Sequence, residues 1–85
     1  MPYFLYILQS QVNQKFYVGS SGDPYRRLKY HNSIEKGFTA RYRPWKLVFV
    51  KEFPSKALAQ KAERKVKSWK SRLMIERLIN GEITL

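Results

Sequence analysis

Five side chains of this sequence have the types that phosphodiester chemistry uses: Tyr6, Tyr17, Arg27, His31 and Glu63. Splitting a phosphodiester with water needs a base for the water proton, a cation against the charge that builds on phosphorus, and a metal on the leaving side. Arg27 and His31 are four residues apart, so on a helix they stand about 40° from each other, one turn along. Leu28 and Tyr25 then point inward, and Arg27 and His31 share a flank rather than the core. Glu63 is a lone carboxylate among Lys61, Arg64, Lys65 and Lys67. Its ordinary role would be an ion pair with Lys67 at i+4. Its functional role would be to hold one divalent cation that also touches substrate phosphate. Taken singly, each of the five has an ordinary structural use: a solvated cation, a helical histidine, two strand tyrosines, a helix ion pair. Only together around one glycine turn do they suggest catalysis.

The elements that must bring them together follow from the hydrophobic pattern. "YFLYIL" (Tyr3 to Leu8) is aromatic and branched throughout, which suits a strand buried on both faces. After the polar "SQVNQK", "KFYVG" reads as its hairpin partner. Strand partners whose numbers sum to 23 would set Tyr6 opposite Tyr17, whereas sums of 22 or 24 would send the two to opposite faces. The sequence leaves that register open. In "SSGDP" the strand stops: Gly19 and Gly22 are the expected turn glycines, Asp23 the N-cap and Pro24 the first helical residue of a helix to Ser33. "KLVFVKEF" (Lys46 to Phe53) is a third strand. Ser55 caps a second helix with an apolar stripe of Leu58, Ala62, Val66 and Trp69. Ser71 caps a short third helix, and Gly81 ends it. The expectation is one α/β domain over residues 1–85, in the order β-β-α-β-α-α.

Composition narrows the class. Two Trp, six Tyr and five Phe in 85 residues argue against a disordered tail. With no cysteine there is neither a disulfide nor a thiolate metal site. The apolar N-terminal run is too short for a membrane span or a secretory signal, so no membrane association and a cytoplasmic location are expected. Seventeen Lys and Arg against six acids give a net charge of +11, which attracts polyanions, nucleic acid foremost.

The ordered set of motifs resembles the GIY-YIG nucleases, in particular small stand-alone members related to the N-terminal nuclease domain of excinuclease C. "FLYIL" supplies the first motif, with Tyr6 as its tyrosine, although Phe4 and Leu5 stand where the family name has Gly and Ile. "YVG" (Tyr17 to Gly19) supplies the second, and "YRRLKYHN" carries Arg27 and His31. Glu63 lies within "ALAQKAERKVKSW". The resemblance covers essentially the whole chain. It implies a three-stranded antiparallel sheet flanked by helices, and DNA cleavage with one divalent cation, Mg2+ or Mn2+. It implies that a tyrosine assists deprotonation of water, Arg27 stabilises the transition state and Glu63 holds the metal. Tyr17 is assigned the base and Tyr6 a hydrogen bond into the site, with the proton acceptor open between them. An unperturbed tyrosine, of pKa about 10, is a poor base at neutral pH, so the groups should act as a unit.

On this reading the partner is nucleic acid, DNA first. With no second domain to read sequence, specificity would be for DNA structure or would come from a protein partner. "GFTARYR" is the candidate gripping surface, with Lys36, Arg41 and Arg43 on phosphates and Tyr42 stacked on a base. The alternative is a non-catalytic basic nucleic-acid-binding module on the same fold. A third is a small structural component of a ribonucleoprotein, which only the charge supports.

Overall fold

The unbroken apolar run near the N-terminus becomes the middle strand of a sheet, where both of its faces are covered. The computed structural model describes residues 1–33 and 41–85. In chain order its elements are β1 (Tyr3–Ser10), β2 (Phe16–Ser21), α1 (Pro24–Ser33), β3 (Trp45–Phe53), α2 (Lys56–Ser68) and α3 (Arg72–Ile79). The sheet order is β2-β1-β3 and both pairings are antiparallel, as expected. Among the described residues no helix is long and apolar enough to cross a membrane.

Alternation along β1 divides the interior in two. Leu5 and Ile7, with Val18 of β2, face Ala62 and Val66 of α2 and Leu78 of α3. Tyr6 and Leu8 face the other way, with Trp45, Tyr17, Leu28 of α1, Tyr42 and Leu47. The sheet therefore separates α1 from α2 and α3. Tyr6 pairs with Gly19 and Leu8 with Tyr17. Partner numbers thus sum to 25 rather than 23: Tyr6 and Tyr17 share a face, but diagonally, and Tyr6 stands opposite the glycine.

The helix starts follow the capping chemistry. Asp23 Oδ1 accepts from the Arg26 N–H at 3.1 Å, and Ser55 and Ser71 accept from the N–H groups of Leu58 and Met74. Helix phases differ from expectation in two places. The inner side of α1 is set by Pro24 and His31, both buried, so Tyr25 turns out to solvent (69% exposed) and His31 belongs to the core (1%) rather than to a flank. On α2 the buried stripe is Ala59, Ala62 and Val66, and Leu58 is 46% exposed. The small Ala62 at the contact lets the helix lie close on Leu5 and Ile7, where a leucine would hold it away.

The glycine expectations also change. Gly19 is not at a turn: β2 runs through it to Ser21. Gly22 does sit between β2 and α1, but without a positive φ, and a Cβ there would make only ordinary contact with Tyr3, at 3.6 Å. Neither position calls on the backbone freedom of glycine. Gly19 is needed for space, as the site makes clear.

Candidate active site

Four of the five candidate residues meet on the α1 side of the sheet. Tyr6 is 1% exposed, and its ring crosses Gly19 so closely that a Cβ there would lie 2.7 Å from Tyr6 Oη. The ring centroids of Tyr6 and Tyr17 are 6.4 Å apart, and those of Tyr17 and His31 4.8 Å. His31 Nε2 lies 3.4 Å from Tyr6 Oη. The Arg27 guanidinium lies near enough to the Tyr6 hydroxyl for each to shift the other's pKa, and it rests over the Tyr30 ring, 4.8 Å from its centroid. Burial pushes the Tyr6 pKa up; the nearby Arg27 guanidinium opposes this, and the Tyr17 and Glu63 charges add to it. Arg27 is raised in turn, first by the neighbouring Tyr6 hydroxyl. At neutral pH this corner holds a protonated phenol and a permanent cation.

Glu63 approaches from the opposite side. Its helix packs on the Leu5 face, yet the carboxylate reaches the end strand β2, where Ser20 Oγ donates to Oε1 at 2.6 Å. Lys67 Nζ donates to Oε2, also at 2.6 Å. Ser20 is the residue after Gly19, so Tyr6 and Glu63 face each other across two residues of edge-strand backbone. The Glu63 charge is among those felt by the Tyr6 hydroxyl. The sequence reading missed Ser20, although alternation from Val18 places it on the α2 face. It also missed Asn32, whose side-chain amide accepts from Trp45 N–H at 2.6 Å and donates to Trp45 C=O at 3.0 Å. That double bond fastens the end of α1 to the start of β3, one residue from His31.

The comparisons with known proteins bear on the family. A family profile described as "GIY-YIG catalytic domain" matches residues 2–77. The chain belongs to the GIY-YIG family. This GIY-YIG chain is 44% identical over 69 residues to the structure-specific endonuclease subunit slx1 of Schizosaccharomyces japonicus, covering 74% of the chain and 25% of that protein. It is 43% identical over 68 residues to the structure-specific endonuclease subunit SLX1 of Chaetomium globosum, covering 72% and 21%. The chain therefore spans a quarter or less of those relatives. The solution NMR structure of the UPF0213 protein BH0048 from Bacillus halodurans superposes with a TM-score of 0.60 at 32% identity, over 94% of this chain and 84% of that one.

The donor chemistry of this GIY-YIG site fits a hard divalent cation. Among the described residues no three His, Cys, Asp or Glu converge, so Glu63 stands as a single carboxylate with the Ser20 hydroxyl at its side. One carboxylate, with water and substrate phosphate completing the shell, is a common arrangement for Mg2+. Each carboxylate oxygen has two acceptor directions, so Ser20 leaves one of Oε1 open. Lys67, half exposed, can swing away from Oε2.

The expected DNA-gripping residues are less concentrated. Lys36 lies outside the described residues. Arg41 and Arg43 are both exposed, and Arg43 also donates to the Asn32 carbonyl at 3.5 Å. Tyr42 is half-buried against the Tyr6–Leu8–Trp45 cluster, and its carbonyl accepts from the buried Ser10 hydroxyl at 2.6 Å. The Lys15 ammonium sits 4.9 Å from its ring centroid. A base could stack on Tyr42 only by displacing that lysine.

Proposed function

We propose that this GIY-YIG domain is an endonuclease that hydrolyses DNA phosphodiester bonds with a divalent cation, Mg2+ or Mn2+, choosing DNA by its structure or through a protein partner. The observation that carries the reading is the Tyr6–Arg27 pair facing Glu63 across Gly19 and Ser20. A phosphate laid on this strand edge would have a permanent cation on one side and a carboxylate on the other. Arg27 meets the charge that builds on the phosphoryl oxygens, and its seat over the Tyr30 ring fixes it in place before substrate arrives. Burial keeps Tyr6 protonated, which leaves the half-exposed Tyr17 as the proton acceptor. His31 packs beside both tyrosine rings and closes a three-ring cluster with them. A cation on Glu63 would supply charge to the leaving side. The SLX1 relatives carry the words "structure-specific endonuclease subunit" in their names, which supports both the substrate class and a protein partner.

The test is nicking of supercoiled plasmid by the purified chain with Mg2+ or Mn2+, against Glu63→Gln. Wild type should cut, and the variant should bind DNA without cutting. Equal cutting by the two removes Glu63 from the mechanism. Binding without cutting by wild type leaves a basic DNA-binding module on a GIY-YIG fold.

A further inference from the structure

The helix that carries the catalytic candidates on its inner side carries an aromatic ring on its outer side. Tyr25 is 69% exposed, although a ring of that size is a favoured core residue. It opens, with Arg26, Lys29 and Asp23, onto a shallow cleft of about 500 Å³. Arg26 and Lys29 are exposed as well. The acid of the cleft is already engaged, because Asp23 Oδ1 caps the Arg26 N–H. A ring beside two solvated cations suits a polyanion better than a protein surface, which would bring apolar neighbours. The expected stacking ring, Tyr42, is held in the core cluster, whereas Tyr25, expected inside, is open to be covered.

Resting on the nuclease reading above, we propose that Tyr25, with Arg26 and Lys29, binds an unpaired nucleobase, so that the domain selects DNA with a base out of its stack near the cut. In continuous duplex the base faces are covered by their neighbours, and an aromatic ring on a helix surface has nothing to stack on. At a flap, branch or frayed end a base face is free. Stacking on it is sequence-tolerant, and the neighbouring cations hold adjacent phosphates. Tyr25 and Arg27 lie on opposite flanks of α1, about one helix width or ~10 Å apart. At ~3.4 Å per nucleotide along a strand, the bound base lies about three nucleotides from the cleaved bond.

The experiment compares wild type, Tyr25→Ala and Tyr25→Trp, in EDTA so that nothing is cut. Fluorescence anisotropy reads binding to a 30-base-pair duplex and to the same duplex with a five-nucleotide single-stranded flap. Wild type should prefer the flap. Tyr25→Ala should bind the flap about 5- to 50-fold more weakly and the duplex within about twofold of wild type, and Tyr25→Trp should restore the preference. Unchanged flap binding in Tyr25→Ala, equal loss on both DNAs, or no rescue by Trp overturns the platform. If wild type binds neither DNA, the nuclease reading falls with it. If wild type binds both equally, only the platform falls. Circular dichroism checks the fold of each variant.

Discussion

The phenol of Tyr6 lies across Gly19 on the neighbouring strand, and a Cβ at Gly19 would fall 2.7 Å from its hydroxyl oxygen and 2.8 Å from Cζ. The glycine after "YV" is therefore the floor on which a buried tyrosine rests, inside a strand and under ordinary backbone angles. Gly19→Ala should lift the Tyr6 ring from its place beside Arg27 and His31. Overpacking of this kind costs about 1–3 kcal/mol, which in a domain this small lowers the melting temperature by roughly 4–8 °C per kcal/mol. Nicking activity should fall by at least about tenfold, since the ring sits beside His31 and near Arg27 in the site. An alanine variant that melts and cuts like wild type would show that Tyr6 accommodates the methyl without moving.

Much of this is legible in the sequence. Strand and helix positions follow from apolar runs, Asp23-Pro24 and the two serine caps, because these are local effects. Helix phase is harder. Leu58 and Tyr25 look like core residues by type, but the buried stripes run through Ala59 and His31, since close approach favours a small residue and the site favours the imidazole. Register is not legible at all: it depends on where the hairpin turns, and the tyrosines could share a face through more than one odd sum. The Ser20–Glu63 bond joins residues 43 positions apart, and nothing local to either announces the other. The motif set can be recognised, but the reason for its glycine cannot.

Tyr6 also sets a pH dependence. Its pKa in the folded protein is raised above the ordinary value of about 10, chiefly by burial. Between about pH 10 and that raised value the folded state keeps a proton that the unfolded chain has lost, so stability falls as pH rises through this window. Below it the contribution is whole. Urea unfolding between about pH 8 and 11 should show wild type losing stability more steeply than Tyr6→Phe. Parallel curves would mean that Tyr6 ionises as freely folded as unfolded.

Arg41 and Arg43 are exposed on the approach to β3 and are the described members of the expected gripping loop. Each phosphate neutralised contributes about 0.9 to the slope of log K against log salt for duplex DNA. Replacing both with glutamine should flatten that slope by up to about two units and weaken duplex binding at low salt. The fold should be little affected, because neither side chain is buried. An unchanged slope places the phosphate contacts elsewhere on this +11 surface.

Glu63 is held at both oxygens, and the two holds should act in opposite directions on a cation. Ser20 is neutral and fixes the carboxylate at the strand edge from 2.6 Å, so Ser20→Ala should loosen it and weaken Mn2+ binding by about tenfold, the scale of losing an outer-shell partner. Lys67 is a competing cation: its ammonium occupies Oε2 at 2.6 Å and must leave before a metal can use that oxygen. Its side chain is about half exposed, and an i,i+4 pair of this kind contributes only a few tenths of a kcal/mol to the helix. Lys67→Met should therefore leave the melting temperature nearly unchanged while tightening Mn2+ binding several-fold, as read by electron paramagnetic resonance of the free ion. Glu63→Gln should abolish that binding in either background. Should Lys67→Met leave Mn2+ affinity within about twofold of wild type while Glu63→Gln removes it, Lys67 is a helix ion pair and nothing more.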